Sequence, residues 1–191
     1  MLKEVKREEG FTLVELAIVL VIVGLLIAGV LKGRSLIQEA KVKNVMKAVD
    51  SIRAATLTFY DRYGMYPGDE NSANFPDGDT HDGDGDGQIE FGESDMLFED
   101  LQKAGMISGS YDGDGTDSYP KHAFGDLILL YWQTPAGGIT DHWFRLDNLP
   151  WDVALEIDTK LDDGVYNTGS VVASEDYVPA SGSIGNTFIR F

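Results

Sequence analysis

From Phe11 to Leu31 the chain runs through 21 residues in which Thr12 and Glu15 are the only polar side chains. Wound as a helix at about 1.5 Å per residue, such a run crosses the ~30 Å hydrocarbon core of a bilayer. Beyond it the pattern changes. Leu36, Ile37, Ala40, Val45, Ala48, Val49, Ile52, Ala55 and Phe59 recur mostly at spacings of three and four, the period of an amphipathic helix. No Pro or Gly interrupts Arg34 to Tyr63, and Gly64 and Pro67 then supply stop signals. Together the two patterns predict one helix over residues 11–63, ~80 Å long. Its first half is apolar on every side, and its second half carries one apolar stripe for a head domain to cover.

The rest of the chain reads as that head. Phe124 to Thr134, Trp143 to Leu146 and Thr187 to Phe191 have the aliphatic and aromatic content of strands. Ser94 stands where an N-cap would open a helix over Asp95 to Ala104, with Gly105 ending it, and a further short helix is expected to begin near Pro150. The expected fold class is α+β: a long N-terminal helix, membrane-spanning in its first half, packed on a small antiparallel β-sheet head with loops stapled through their acidic residues. Trp132, Trp143 and Trp151 are expected in the core and sheet.

Charge sharpens the division. Residues 1–10 are neutral overall, residues 32–68 carry a net +4, and residues 69–191 carry a net −20, within a formal total of −17. An acidic head of this kind does not bind nucleic acid through its phosphates, so no direct nucleic-acid partner is expected. The absence of cysteine excludes disulfides, thiolate zinc sites and cysteine nucleophiles. No G-x-S-x-G elbow or phosphate loop occurs, and His81, His122 and His142 lack the spacing of a zinc site, so catalysis is not expected. The apolar run is longer than a secretory h-region and ends in Lys32-Gly33-Arg34 rather than a small-residue cleavage site, which argues against a cleaved signal peptide. Glu15 is the anomaly within it. A carboxylate at a helix centre in the bilayer costs about 2.5–3.5 kcal/mol on insertion scales, less near an end, and marks a function that supplies a positive partner.

The head offers a second piece of chemistry. Asp82-Gly83-Asp84-Gly85-Asp86-Gly87-Gln88-Ile89-Glu90-Phe91-Gly92-Glu93 follows the twelve-position calcium loop of the EF-hand. Asp82, Asp84 and Asp86 fall at the first, third and fifth positions, Gly87 at the sharp turn, the Gln88 carbonyl at the seventh and Glu93 at the twelfth, where a carboxylate binds bidentately. Three short carboxylates on a glycine-rich loop converge on one hard cation. A helix is expected only after this loop, so it reads as an isolated calcium loop rather than a paired-helix sensor, with a Kd of roughly 10⁻⁴ to 10⁻³ M. Asp112, Asp114, Thr116 and Asp117 offer oxygens at similar spacing for a second, weaker site without a terminal Glu. Asp158, Asp162 and Asp163 read first as the end of the short helix begun near Pro150.

The string Gly10-Phe11-Thr12-Leu13-Val14-Glu15, followed by the unbroken apolar run, resembles the processing site of type IV pilins and type II secretion pseudopilins. Tyr63-Gly64-Met65-Tyr66-Pro67-Gly68-Asp69, Leu101-Gln102-Lys103-Ala104-Gly105-Met106-Ile107 and Ile157-Asp158-Thr159-Lys160-Leu161-Asp162-Asp163-Gly164 look like segments of calcium-binding members of that group. The resemblance implies a leader over residues 1–10, a helix over 11–63 whose residues 11–31 form the transmembrane segment and filament core, and a calcium-binding head over 64–191. It implies cleavage between Gly10 and Phe11 by a prepilin peptidase, methylation of the new Phe11 amine, and polymerisation with copies of itself or with other pilins on an assembly platform. Glu15 would then pair with the terminal amine of a neighbouring Phe11. The precursor would sit in the inner membrane with its N-terminus in the cytoplasm, and the product in a periplasmic or cell-surface filament. A minor tip subunit, whose head is an adhesin or substrate-recognition module, is the alternative.

Overall fold

The computed structural model describes residues 12–71, 76, 78 and 80–191. They divide between Ala40 and Lys41 into two compact units. The helix α1 (Leu13–Tyr63) supplies the described part of the first unit and enters the second. It matches the helix expected from the two apolar patterns and gives way at Gly64, whose φ of 80° is one that L side chains rarely adopt.

In the first unit α1 buries nothing. Leu13, Val14, Leu16, Ile18, Leu20, Ile22, Leu25, Ile27 and Leu31 are all at least half exposed. Among the described residues this stretch is long and apolar enough to cross a membrane. A helix that is hydrophobic all round is stable only where something other than water surrounds it.

In the second unit the same helix has an inside. Val42, Val45, Val49, Ile52, Ala55 and Phe59 are buried in one core cluster, while Lys43, Lys47, Asp50 and Tyr60 face solvent. Val42 joins the stripe expected from the sequence, whereas Leu36, Ile37 and Ala40 are exposed, so the buried stripe begins later than the periodicity alone implied.

The stripe packs on an α+β head. Its sheet is antiparallel in the order β1-β2-β4-β3, with β1 (Ile128–Gln133), β2 (Asp141–Pro150), β3 (Val171–Ala173) and β4 (Ser183–Arg190). Leu130 opposes Phe144, and Phe144 opposes Ile189, placing those side chains in the cluster that includes α1. Arg53 of α1 reaches the sheet directly, donating to the Arg190 carbonyl at 3.0 Å and lying over the Phe144 ring. α2 (Met96–Lys103) adds Leu97, Phe98 and Leu101, and α3 (Trp151–Leu161) adds Val153, Ala154 and Ile157. Trp143 is fully buried, whereas Trp132 and Trp151 are half-buried.

Several boundaries differ from the sequence expectation, each for a local reason. The strand expected over Phe124 to Thr134 begins only at Ile128, because Gly125, at φ 102°, turns the chain so that the His122 amide donates to the Asp126 carbonyl. The strand expected over Trp143 to Leu146 extends to Asp141 and Pro150, since pairing with β4 carries it through the polar residues Asp147 and Asn148. Ser94 does not cap α2: its buried hydroxyl accepts from the Leu130 amide, and Asp95 caps the helix by accepting from the Met96 amide at 3.1 Å. α3 does begin just after Pro150.

Candidate functional site

The start of α1 and the acidic loop carry the chemistry. Gly10 and Phe11, the expected processing residues, lie outside the described residues. Thr12 and Glu15 do not. The Thr12 amide and hydroxyl both donate to Glu15 Oε2, at 2.8 and 2.7 Å, and the Glu15 amide donates back to Thr12 Oγ1 at 3.3 Å. This is a capping box: a Thr ahead of the first turn and a Glu three residues on satisfy each other's helix-end groups. Glu15 is thus held by its own chain through Oε2, and the carboxylate lies on the exposed first turn.

The acidic loop is pinned by three residues between α1 and itself. The Gly83 amide donates to the Glu70 carbonyl at 2.6 Å, the Gly87 amide to Asp69 Oδ2 at 3.0 Å, and the Asn71 side chain to the Asp84 carbonyl at 3.2 Å. Gly83 is required for this approach, because a Cβ there would collide with the Gly68 carbonyl and the Asp69 backbone. On the other side Ile89 is fully buried. Its amide donates to His142 Nε2 at 2.9 Å and its carbonyl accepts from the Trp132 amide, tying the loop to β1 and β2.

Within the loop the structure regroups the expected ligands. Carboxylate oxygens of Asp84 and Asp86 lie within 4.8 Å of each other and of Asp69. Asp82 is exposed and stands outside this group. Glu93 is buried, with Oε1 accepting from the Asp84 amide and Oε2 from the Glu90 amide. Gln88 donates its amide and its side-chain nitrogen to Asp86. Burial pushes the carboxyl groups of Asp69 and Glu93 above the usual range; the Asp86 charge adds to this at Asp69, and the charges of Asp69 and Asp84 add to it at Glu93, while backbone amides oppose it at both. Asp69 was not legible as part of this chemistry from the loop pattern, although it closes the Tyr63–Asp69 string.

The weaker acidic segment is arranged otherwise. Asp112 Oδ1 accepts from the Ser118 hydroxyl at 2.6 Å, which holds its carboxyl below the ordinary value. Thr116 and Asp117 lie in a 3₁₀ turn, Gly115–Ser118, and the Asp114 amide donates to Ser118. These residues form no metal-sized carboxylate group among the described residues. Asp158, Asp162 and Asp163 do form one at the end of α3. Their oxygens accept from Tyr177 and Gly164, from Ser170 and Val171, and from Val165 and Thr168, so the chain's own donors already organise that turn. His81 is half-buried, with Nδ1 2.9 Å from the buried Glu99 carboxylate.

The prokaryotic N-terminal methylation motif matches the chain over residues 5–31. The match supports a type IV pilin-like or pseudopilin subunit, a structural rather than enzymatic class, with processing by a prepilin peptidase and assembly with other pilins. With the apolar helix, it fits a membrane-anchored precursor that later joins a filament. Comparison with curated proteins and with solved structures gave no match.

Proposed function

We propose that the chain is a structural subunit of a type IV pilus or type II secretion pseudopilus. The precursor inserts in the inner membrane through residues 11–31, is cut between Gly10 and Phe11, is methylated at Phe11, and polymerises on the assembly platform through α1. The observation that carries this reading is an apolar helix surface left exposed among the described residues, beginning within the methylation motif. Before assembly lipid covers that surface; afterwards the helices of neighbouring subunits do. Glu15 accepts the Phe11 amine of a neighbour, and a charge pair of this kind is tolerable in a dry bundle when both charges are also hydrogen-bonded. The Thr12 capping box leaves the carboxylate oriented for it.

Calcium fixes the head in the same reading. The donors of the acidic loop are hard oxygens on short side chains, which suit Ca²⁺, and the buried Asp69 oxygen, without a partner among the described residues and beside Asp84 and Asp86, fits a bound cation. The ion would stabilise the folded head by binding only that state.

The test is quantitative mass spectrometry of sheared surface filaments and of membranes from the native cells. A peptide beginning at methylated Phe11 is expected, and its abundance in the sheared fraction distinguishes a pilus subunit from one retained as a pseudopilus. Chains that keep residues 1–10 in every fraction would overturn the reading.

A further inference from the structure

The loop pattern places three aspartates of one segment, Asp82, Asp84 and Asp86, around the ion. The structure distributes the carboxylates differently, and the difference concerns Asp69. This residue is 1% exposed. Its Oδ2 accepts the Gly87 amide at 3.0 Å, and the Asp86 and Gly85 amides also stabilise the carboxylate. Its Oδ1 is buried and has no hydrogen-bond partner among the described residues. The side chain is therefore fixed against the glycine turn by one oxygen and uncommitted at the other. A buried carboxylate oxygen without a partner is costly, and it is more so beside other carboxylates. Asp84 and Asp86 are those neighbours, both within 4.8 Å, and the buried Glu93 lies close enough for its charge and that of Asp69 to be felt by each other.

We infer that Asp69, from the turn after α1, is the buried ligand of the calcium site with Asp84 and Asp86, in the place that the loop pattern assigns to Asp82. The inference rests on the calcium reading of the acidic loop and decides which carboxylates hold the ion. The geometry has a reason. A carboxylate that receives the amide at the sharp turn of the loop braces that turn around the ion, and here the Gly87 amide points to Asp69. Gly83, the residue after Asp82, meets Gly68 and Asp69 so closely that the loop backbone brings Asp84 and Asp86 over them. Calcium bound in this way joins two segments 15 to 17 residues apart, instead of closing one loop on itself. It also braces the turn that follows α1, which the Gly68 amide ties to Asp100 of α2. Calcium would therefore order the junction of α1, the acidic loop and α2.

The test is calorimetric titration of calcium chloride into the full chain in detergent micelles, after chelation, for the wild type, Asp69→Asn, Asp69→Ser and Asp82→Asn. Each is also measured with Asp163→Asn present, so that an ion at the end of α3 is not counted. Loss of a buried anionic ligand is expected to weaken binding by ~10-fold or more in both Asp69 variants, and Asp82→Asn by less than about 3-fold. In EDTA, Asp69→Asn is expected to melt no lower than the wild type, because it removes a buried charge that has no metal to meet; a lower midpoint would show a structural role instead and overturn the assignment. Wild-type affinity in both Asp69 variants, or an equal loss in Asp82→Asn, would also overturn it. A wild type that gives neither heat nor a melting shift in ~10 mM calcium, well above the Kd expected of such a module, would remove the calcium reading itself.

Discussion

The two halves of α1 are built from the same kinds of residue and obey opposite rules. Over residues 13–31 apolar side chains occur on every side and all are exposed; over residues 42–59 Val42, Val45, Val49, Ile52, Ala55 and Phe59 form one buried stripe, with Lys43, Lys47, Asp50 and Leu57 exposed outside it. The first half carries no information about a partner within its own chain, since no face is distinguished. The second half does, because a stripe of this width specifies a core to pack on. One helix thus has two kinds of surroundings, and a perturbation should act on one half without the other.

The largest separation is expected from Phe59→Ala. Phe59 is fully buried in the head core, with its ring centroid 4.5 Å from that of Tyr63 and the two rings tilted at 59°. Truncating a buried Phe costs about 3–5 kcal/mol, a large share of the ~5–15 kcal/mol that holds a domain folded. The head should melt far earlier by near-ultraviolet circular dichroism, while membrane extraction of the chain is unchanged. Equal loss of membrane association would break the division between the halves.

A smaller effect separates the head from the apolar helix by pH. Burial lowers the affinity of the His142 ring for a proton, with Asp141 and Asp86 opposing, and its Nε2 accepts the Ile89 amide, which only the unprotonated nitrogen can do. The unfolded chain protonates this ring near 6.5 and the folded head only at lower pH. The unfolded state therefore binds more protons in that window, and stability is present above 6.5 and lost as pH falls through the lowered folded value. The slope is at most about 1.4 kcal/mol per pH unit for one group. Thermal melts of wild type and His142→Gln between pH 7.5 and 5.5 should show a flatter fall in the variant; carboxylate contributions are common to both and cancel. Parallel curves would remove His142 as the cause.

The same contrast explains what could be read from the sequence. The helix over residues 13–63 was legible because periodicity and the absence of Pro and Gly from Arg34 to Tyr63 are local signals. So were the glycines and aspartates of the acidic loop. Three features were not. β3 is only Val171–Ala173 and exists through pairing with β4, so no window around it carries a pattern. Ser94 and Asp95 both suit a cap, and the choice is made by Leu130, 36 residues away. Asp69 enters the acidic group because Gly68 and Gly83 let two backbones touch, a contact that spacing within residues 82–93 does not encode. Local chemistry was visible; its tertiary partners were not.

The finest test of the comparison is at the other end of α1. Thr12→Val removes the hydroxyl that both donates to Glu15 and accepts its amide, and it keeps the shape and the apolar character of the run. Loss of an N-cap side chain costs about 1 kcal/mol, which is roughly a 5-fold change in a local opening equilibrium. Hydrogen exchange in micelles should therefore quicken by about that factor at the amides of Val14 to Leu16, with no change at Val45 or Ile52 in the buried stripe. The size of the change also reports on Glu15. If the capping box fixes its carboxylate, the variant should lose filament assembly in part while Glu15→Ala loses it more fully, because the first variant frees the carboxylate and the second removes it. Unaltered exchange in Thr12→Val would mean that Glu15 is oriented by something other than its own helix end, and the carboxylate would then have to be placed by the neighbour it pairs with.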